Sequence, residues 1–253
     1  MNSSHLLNKR FLIWGLCVGE RCRILAQIWL ASLFTVGRWQ HDVALIGDIN
    51  VKSFSYPRLV TIDITSDIHE KYGLPKANWS PSTCHNLKPQ IQFYIDLLRY
   101  DYVLYLDMDV LIGTEHLEHL LEVQWSRGMI SPQRGRNLIA DKKTCQGGEI
   151  LTFSEIYRWG YHSICAGIIG IPINQSGLQL LKDWHELNQM GQFCQDDQAN
   201  LISLLLRRYA GKWEYLKNTV FGRELLHYNA ILIHFAAKKD ELLKEYAKKI
   251  LGL

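Results

Sequence analysis

The chain has 253 residues, 47% of them apolar, and its 28 basic and 25 acidic side chains leave a formal charge of +3 and a pI near 8.5. That length supports one substantial core; charges spread along the chain leave no strong nucleic-acid footprint, and the sequence shows no solenoid-period repeat or low-complexity block. No apolar run reaches the roughly 18 to 20 residues that span a bilayer, and Phe11 to Val18 is too short for an export signal before the charged Glu20-Arg-Cys-Arg23.

Along the chain, a polar tail over residues 1–10 precedes Phe11 to Val18, which reads as a buried strand ending at Gly19. From Glu20 to Trp39, the residues Ile24, Leu25, Ile28, Trp29, Ser32, Leu33 and Val36 recur at helical spacing, with Gly37 as terminator. Asp42 to Asp48 and Arg58 to Asp63 read as further strands, and strand, helix, strand implies a crossover unit and a parallel sheet. Lys88 to Leu98 is expected as a helix with Pro89 in its first turn, feeding the apolar run Tyr102 to Ile112. Leu117 to Val123 reads as a short helix, Arg134 to Gly148 as a loop and Ile164 to Ile173 as a strand. Leu178 to Asn188 and Asp197 to Tyr209 read as helices, and Ala230 to Phe235 as the last strand. From Asp240, residues Leu242, Leu243, Tyr246, Ile250 and Leu251 share one helical face, with lysines on the other. The expected architecture is α/β, one domain over 11–239 with a mostly parallel sheet flanked by helices, followed by an amphipathic helix over 240–253 packed on or beside it. The six cysteines, Cys17, Cys22, Cys84, Cys145, Cys165 and Cys194, show no CxxC pair or zinc spacing, so reduced thiols and a cytoplasmic setting are expected.

The chemistry concentrates at the end of the run Tyr102 to Ile112, which delivers Asp107 and Asp109. Side chains alternate on an extended segment, so residues two apart point the same way and can converge on one cation. Hard cations such as Mg²⁺ and Mn²⁺ prefer carboxylate oxygens and commonly bridge to substrate phosphates. The carboxyl end of a strand is also where ligands bind in open α/β sheets. The bland alternative is a pair of turn formers. His234 closes another apolar run and could add an imidazole nitrogen, a mixture that suits Mn²⁺; the alternative is a hydrogen-bonded core histidine. Lys238-Lys239 could screen a leaving phosphate or simply open a solvated helix. Gln195-Asp196-Asp197-Gln198-Ala-Asn200 stands at a helix start, where one Asp caps and the remaining groups could bind sugar hydroxyls and stabilise charge at an anomeric carbon. Cys165-Ala166-Gly167 offers small side chains inside a strand, as needed where a ligand lies on the backbone or a strand packs tightly on a helix.

Taken in order, Tyr100-Asp-Tyr-Val-Leu-Tyr-Leu-Asp107-Met-Asp109, Ala166-Gly167-Ile-Ile, Asp197-Gln198 and Tyr228-Asn229-Ala-Ile-Leu-Ile-His234-Phe resemble the nucleotide-sugar-dependent glycosyltransferases of the GT-A fold, especially the glycogenin-like and galactosyltransferase-like family 8 group. The resemblance spans Phe11 to about Lys239. It implies that Asp107, Asp109 and His234 bind Mn²⁺, with Mg²⁺ as a substitute, and that the metal holds the diphosphate of a UDP-sugar. Asp107 would also lie near the ribose, Gly19 under the nucleotide, and Lys88 and Lys239 toward the donor. Ala166 and Gly167 would border the donor sugar, while Asp197 and Gln198 would face its reactive carbon, with transfer to an acceptor hydroxyl and retained configuration. Three stretches depart from the family pattern: Cys165 stands where Asn or Ser usually precedes the Ala-Gly pair, Ala236-Ala237-Lys238-Lys239-Asp240 replaces the glycine and Lys-Pro-Trp after the histidine, and Gly19-Glu-Arg-Cys22 lacks the acidic and aromatic residues that commonly read uracil.

Two other readings use the same residues. In a haloacid-dehalogenase-type phosphatase Asp107 would attack phosphorus and Asp109 would serve as acid and base, but that motif normally sits on the first strand, and no Gly-Asp-x-x-x-Asp segment follows here. A non-catalytic nucleotide or sugar-binding module would use the last helix to dock on a membrane surface or partner, yet all the candidate metal ligands of an enzyme are present.

Overall fold

The computed structural model describes residues 9–67, 86–124, 127–137, 162–189, 197–216, 219–221, 230–235, 239–248 and 252. The first apolar run forms β1 (Phe11–Cys17), and the amphipathic stretch after it forms α1 (Glu20–Ala31), prolonged by one wider turn over Ser32–Val36. Buried Ser32 ends the regular helix and ties it to the sheet beyond: its Oγ donates to the Trp29 carbonyl at 2.8 Å and accepts the Ile112 N–H at 3.2 Å. Next come β2 (Asp42–Gly47) and β3 (Leu59–Asp63).

The helix expected from Lys88 to Leu98 is broken. A tight turn over Lys88–Gln90 leads into a single helical turn, α2 (Ile91–Tyr94), after which Ile95 is extended at φ −133° and ψ 135°. Asp96 then accepts the Leu98 N–H and starts a separate turn, Leu97–Arg99. An Asp side chain that bonds to nearby backbone competes with helix continuation, which is why the periodicity overran the element.

The remaining elements are β4 (Tyr102–Leu106), β5 (Val110–Ile112), α3 (Leu117–Gln124), β6 (Gly128–Asn137), β7 (His162–Pro172), α4 (Gln175–Gln189), α5 (Asp197–Arg207), β8 (Trp213–Tyr215), β9 (Thr219–Phe221), β10 (Leu232–His234) and α6 (Lys239–Tyr246). The stretch expected as a loop from Arg134 is strand as far as Asn137; its remainder to Gly148, like Asp196, Asn229 and Lys238, lies outside the described residues.

Seven strands form the main sheet in the order β3-β2-β1-β4-β7-β6-β8. The pairings of β1 with β2, β1 with β4, β2 with β3 and β6 with β8 are parallel, and β7 alone runs against its neighbours β4 and β6. The sheet is therefore mostly parallel. Strand alternation splits the core in two: Leu12, Trp14 and Leu16 join Val103, Tyr105 and the inner faces of α4 and α5, whereas Phe11, Ile13 and Cys17 join Leu104, Leu106 and the inner faces of α1, α3 and α6. Both faces of the central strands are thus buried, which is why they read as continuous apolar runs.

A second, small sheet pairs β10 with β5 antiparallel and with β9 parallel. The final helix covers it: Leu243 and Tyr246 are buried, the Tyr246 ring meets Phe235 edge-on with centroids 6.0 Å apart, and its hydroxyl donates to the Ile112 carbonyl. No described helix is long and apolar enough to cross a membrane. Cys17, Cys22 and Cys165 are free thiols.

Candidate active site

The parallel strands β1, β2 and β4 end along one edge of the sheet, and the site is built there. Gly19 follows β1 at φ +84°, a backbone conformation that favours glycine. Its N–H donates to Asp48 Oδ2 at 2.9 Å, so a fully buried carboxylate at the end of β2 fixes the turn leading into α1. Asp48 escaped the sequence analysis; the available signal was its place just past a strand end, the same place Asp107 occupies after β4.

Asp107 and Asp109 do converge, but not through strand alternation. Strand β4 stops at Leu106, and Asp107-Met108-Asp109 forms a turn before β5 that is closed by the Val110 N–H donating to the Asp107 carbonyl at 2.9 Å. The turn is anchored on both sides, because the Asp107 N–H donates to the Gly167 carbonyl at 2.8 Å and the Phe235 N–H donates to the Asp109 carbonyl at 2.9 Å. That second bond continues the pairing of β10 with β5, in which His234 lies opposite Val110. His234 Nε2 consequently sits 3.4 Å from Asp109 Oδ1, and one potential ligand atom from each of Asp107, Asp109 and His234 lies within 4.8 Å of the others.

This group fits a divalent cation. Ligands about 2.0–2.1 Å from a small hard cation are at most roughly 4 Å apart across it, so the cluster needs only a slight contraction. Space is provided by Gly167, where a Cβ would stand 2.6 Å from Asp107 Oδ2 and 3.3 Å from His234 Cε1. The electrostatics agree: burial pulls the His234 imidazole toward its neutral form, but Cys165 and Asp109 outweigh burial and hold its pKa well above the usual histidine value. The cluster already favours a positive charge, which a bound cation supplies once the imidazole is neutral.

Behind the cluster lies Lys88, with its side chain 2% exposed. Its Nζ is 2.8 Å from Asp197 Oδ2 and 3.6 Å from Asp107 Oδ1, donates to the Ala166 carbonyl at 3.1 Å, and stands 5.0 Å from the centre of the Tyr105 ring. Burial would lower the lysine pKa, but the two carboxylates more than reverse it, so the ammonium stays charged. Tyr105 donates its hydroxyl to Asp107 Oδ1 at 2.6 Å, a contact the sequence signalled only through the spacing of two residues. Asp197 opens α5 and is buried, and the neighbouring Gln198 accepts the Ala166 N–H at 3.2 Å. The structure therefore brings Asp107, Asp109, His234, Lys88, Ala166, Gly167, Asp197 and Gln198 into one contiguous network. Gly19 lies in the turn after β1, and Lys239 opens α6.

No protein-family description matches this chain, and no curated protein does either. Solved structures do. WbbM, a bifunctional glycosyltransferase described in its apo form, is 12% identical with a TM-score of 0.59, over 92% of this chain and 47% of its own. The galactosyltransferase LgtC, solved in complex with donor and acceptor sugar analogs, is 13% identical with a TM-score of 0.56, over 90% of this chain and 87% of its own. The chain thus spans about half the length of WbbM and most of LgtC. At such identities the likeness concerns architecture, and with the strand order and helix layers it shows that this chain has the GT-A fold.

Proposed function

We propose that the protein is a metal-dependent glycosyltransferase that moves a sugar from a nucleotide sugar, most simply UDP-linked, to an acceptor hydroxyl with retention of configuration. The observation that carries this reading is the convergence of Asp107, Asp109 and His234 beside the Lys88–Asp197 pair, at the carboxyl edge of a GT-A sheet. Asp107, Asp109 and His234 would hold Mn²⁺, or Mg²⁺, which when bound supplies the Lewis acidity that stabilises a departing diphosphate. Gly19 and Asp107 would border the nucleotide, Lys88 and Lys239 would favour the anionic donor, and Ala166 and Gly167 would lie along the sugar. Asp197 and Gln198 would face its reactive carbon. The hydrogen bonds of Gln198 and Lys88 to the two polar groups of Ala166 support that assignment, because they fix the strand along which a sugar would lie. Positioning in this way is the main contribution such a site makes to group transfer. A phosphatase reading of the Asp pair gains nothing from the structure, since Asp109 is turned toward His234 and the fold is of the GT-A type.

The test is thermal unfolding with UDP and a panel of UDP-sugars, each with Mn²⁺ and with EDTA, in the wild-type protein and in Asp109→Asn. Ligand at about a hundredfold over its Kd adds about 2.7 kcal/mol, so the midpoint should rise by roughly 5–10 °C for a protein of this size. The rise should need Mn²⁺ and vanish in Asp109→Asn, together with turnover. Full turnover in Asp109→Asn would sink the proposal.

A further inference from the structure

Strand β7 runs past the metal cluster with its alternation in register. Cys165 and Gly167, two residues apart, face the cluster, whereas Ala166 between them offers its N–H and carbonyl to Gln198 and Lys88. The gap left by Gly167 accommodates Asp107 and the His234 ring. Cys165 Sγ lies 3.5 Å from His234 Nδ1, on the side of the ring opposite the Nε2 that faces Asp109, and both residues are buried at 5% exposure.

A histidine that ligates through one ring nitrogen normally donates the other ring N–H to a neighbouring group, which fixes its tautomer and the ring's orientation. With Nε2 turned to the carboxylates, the sulfur of Cys165 is an acceptor within reach of Nδ1–H, and a weak one. We infer that Cys165 is a positioning residue of the metal centre, whose sulfur accepts the Nδ1–H of His234 and holds Nε2 toward the carboxylates. This rests on reading Asp107, Asp109 and His234 as metal ligands. Its consequence is that Cys165, one of the positions at which this chain departs from the pattern of the family it resembles, tunes cation affinity.

The experiment titrates Mn²⁺ alone, without nucleotide, into the wild type, Cys165→Ala and Cys165→Ser. Losing an orienting partner of a ligating histidine typically weakens metal binding by about 10- to 100-fold. A sulfur being a weak acceptor, Cys165→Ala should lose about tenfold at the low end of that range, and Cys165→Ser, which keeps an acceptor, should stay within about threefold of wild type. A second readout needs no metal: the Nδ1–H of His234 should be a slowly exchanging resonance in wild type and Cys165→Ser and be lost in Cys165→Ala. Equal Mn²⁺ affinity in wild type and Cys165→Ala, or Cys165→Ser as weak as Cys165→Ala, overturns the role of Cys165 and leaves the metal site standing. If the wild type binds no Mn²⁺, the proposed function fails instead, and the exchange of the ring proton decides the place of Cys165 by itself, an unchanged proton in Cys165→Ala overturning it.

Discussion

At the scale of single residues, the chemistry rests on how few side chains are asked to hold many partners. Lys88 contacts Asp107, Asp197 and the Ala166 carbonyl at once while 2% exposed, so its ammonium is the shared counter-charge of two acids from different parts of the chain. Replacing it with Met leaves those carboxylates without their cation, and breaking a buried pair from one side costs about 3–5 kcal/mol. Lys88→Met should therefore lower the thermal midpoint by roughly 10 °C and abolish any nucleotide-dependent shift; a fall of less than about 2 °C would contradict the clamp. Asp107, Asp109 and His234 stood out in the sequence because each closes an apolar run at a strand end, and the structure brings the three together. Their geometry was not legible, since the Asp pair meets through a turn instead of a pleat. Nor were the contacts of Lys88 and Asp48, which join residues far apart in sequence and leave no periodic trace in the chain.

At the scale of elements, the small sheet decides whether the site exists. Strand β10 brings His234 to Asp109, and α6 presses on the same sheet through Leu243 and Tyr246. The Tyr246 hydroxyl donates to the carbonyl of Ile112 on β5, and the Ile112 N–H donates to Ser32 Oγ at the end of α1. Tyr246→Phe removes the donor and strands that carbonyl at a cost of about 1–3 kcal/mol, so its midpoint should fall by a few degrees while the ring packing against Phe235 persists. A variant as stable as wild type would show that α6 is held by apolar contact alone. The parallel half of the sheet was legible in the alternation of strand and helix patterns. The reversal of β7 was not: a strand buried on both faces reads as an unbroken apolar run whichever way it points.

Across the whole molecule, several carboxylates share a low-pH signature. Asp63 is held down to a pKa of about 2, chiefly by Lys52 with Nζ at 2.8 Å and by the Thr65 hydroxyl and N–H. Burial alone would raise Asp101 and Asp183, but hydrogen bonds and basic neighbours, Arg10 and Lys9 for the first and Gln179, Tyr209 and Arg208 for the second, leave both below the ordinary range. Because each pKa is depressed in the folded state, the unfolded chain takes up the protons first. Their stabilisation is complete above about pH 4 and drains away as the pH falls toward 2. The urea midpoint should decline across that window, and less steeply in Asp63→Asn; a level profile down to pH 2 would refute the assignment.

The pairing of β10 with β5 joins stretches of chain that are far apart in sequence, with β6, β7, α4 and α5 made in between. Closing so long a loop is an entropic expense met only after the intervening strands have condensed. His234 is therefore expected to reach Asp109 late in folding, after the central sheet has formed. A cation held there would then load onto a folded protein instead of templating it, and its withdrawal by EDTA should leave the far-ultraviolet circular dichroism of the sheet unchanged.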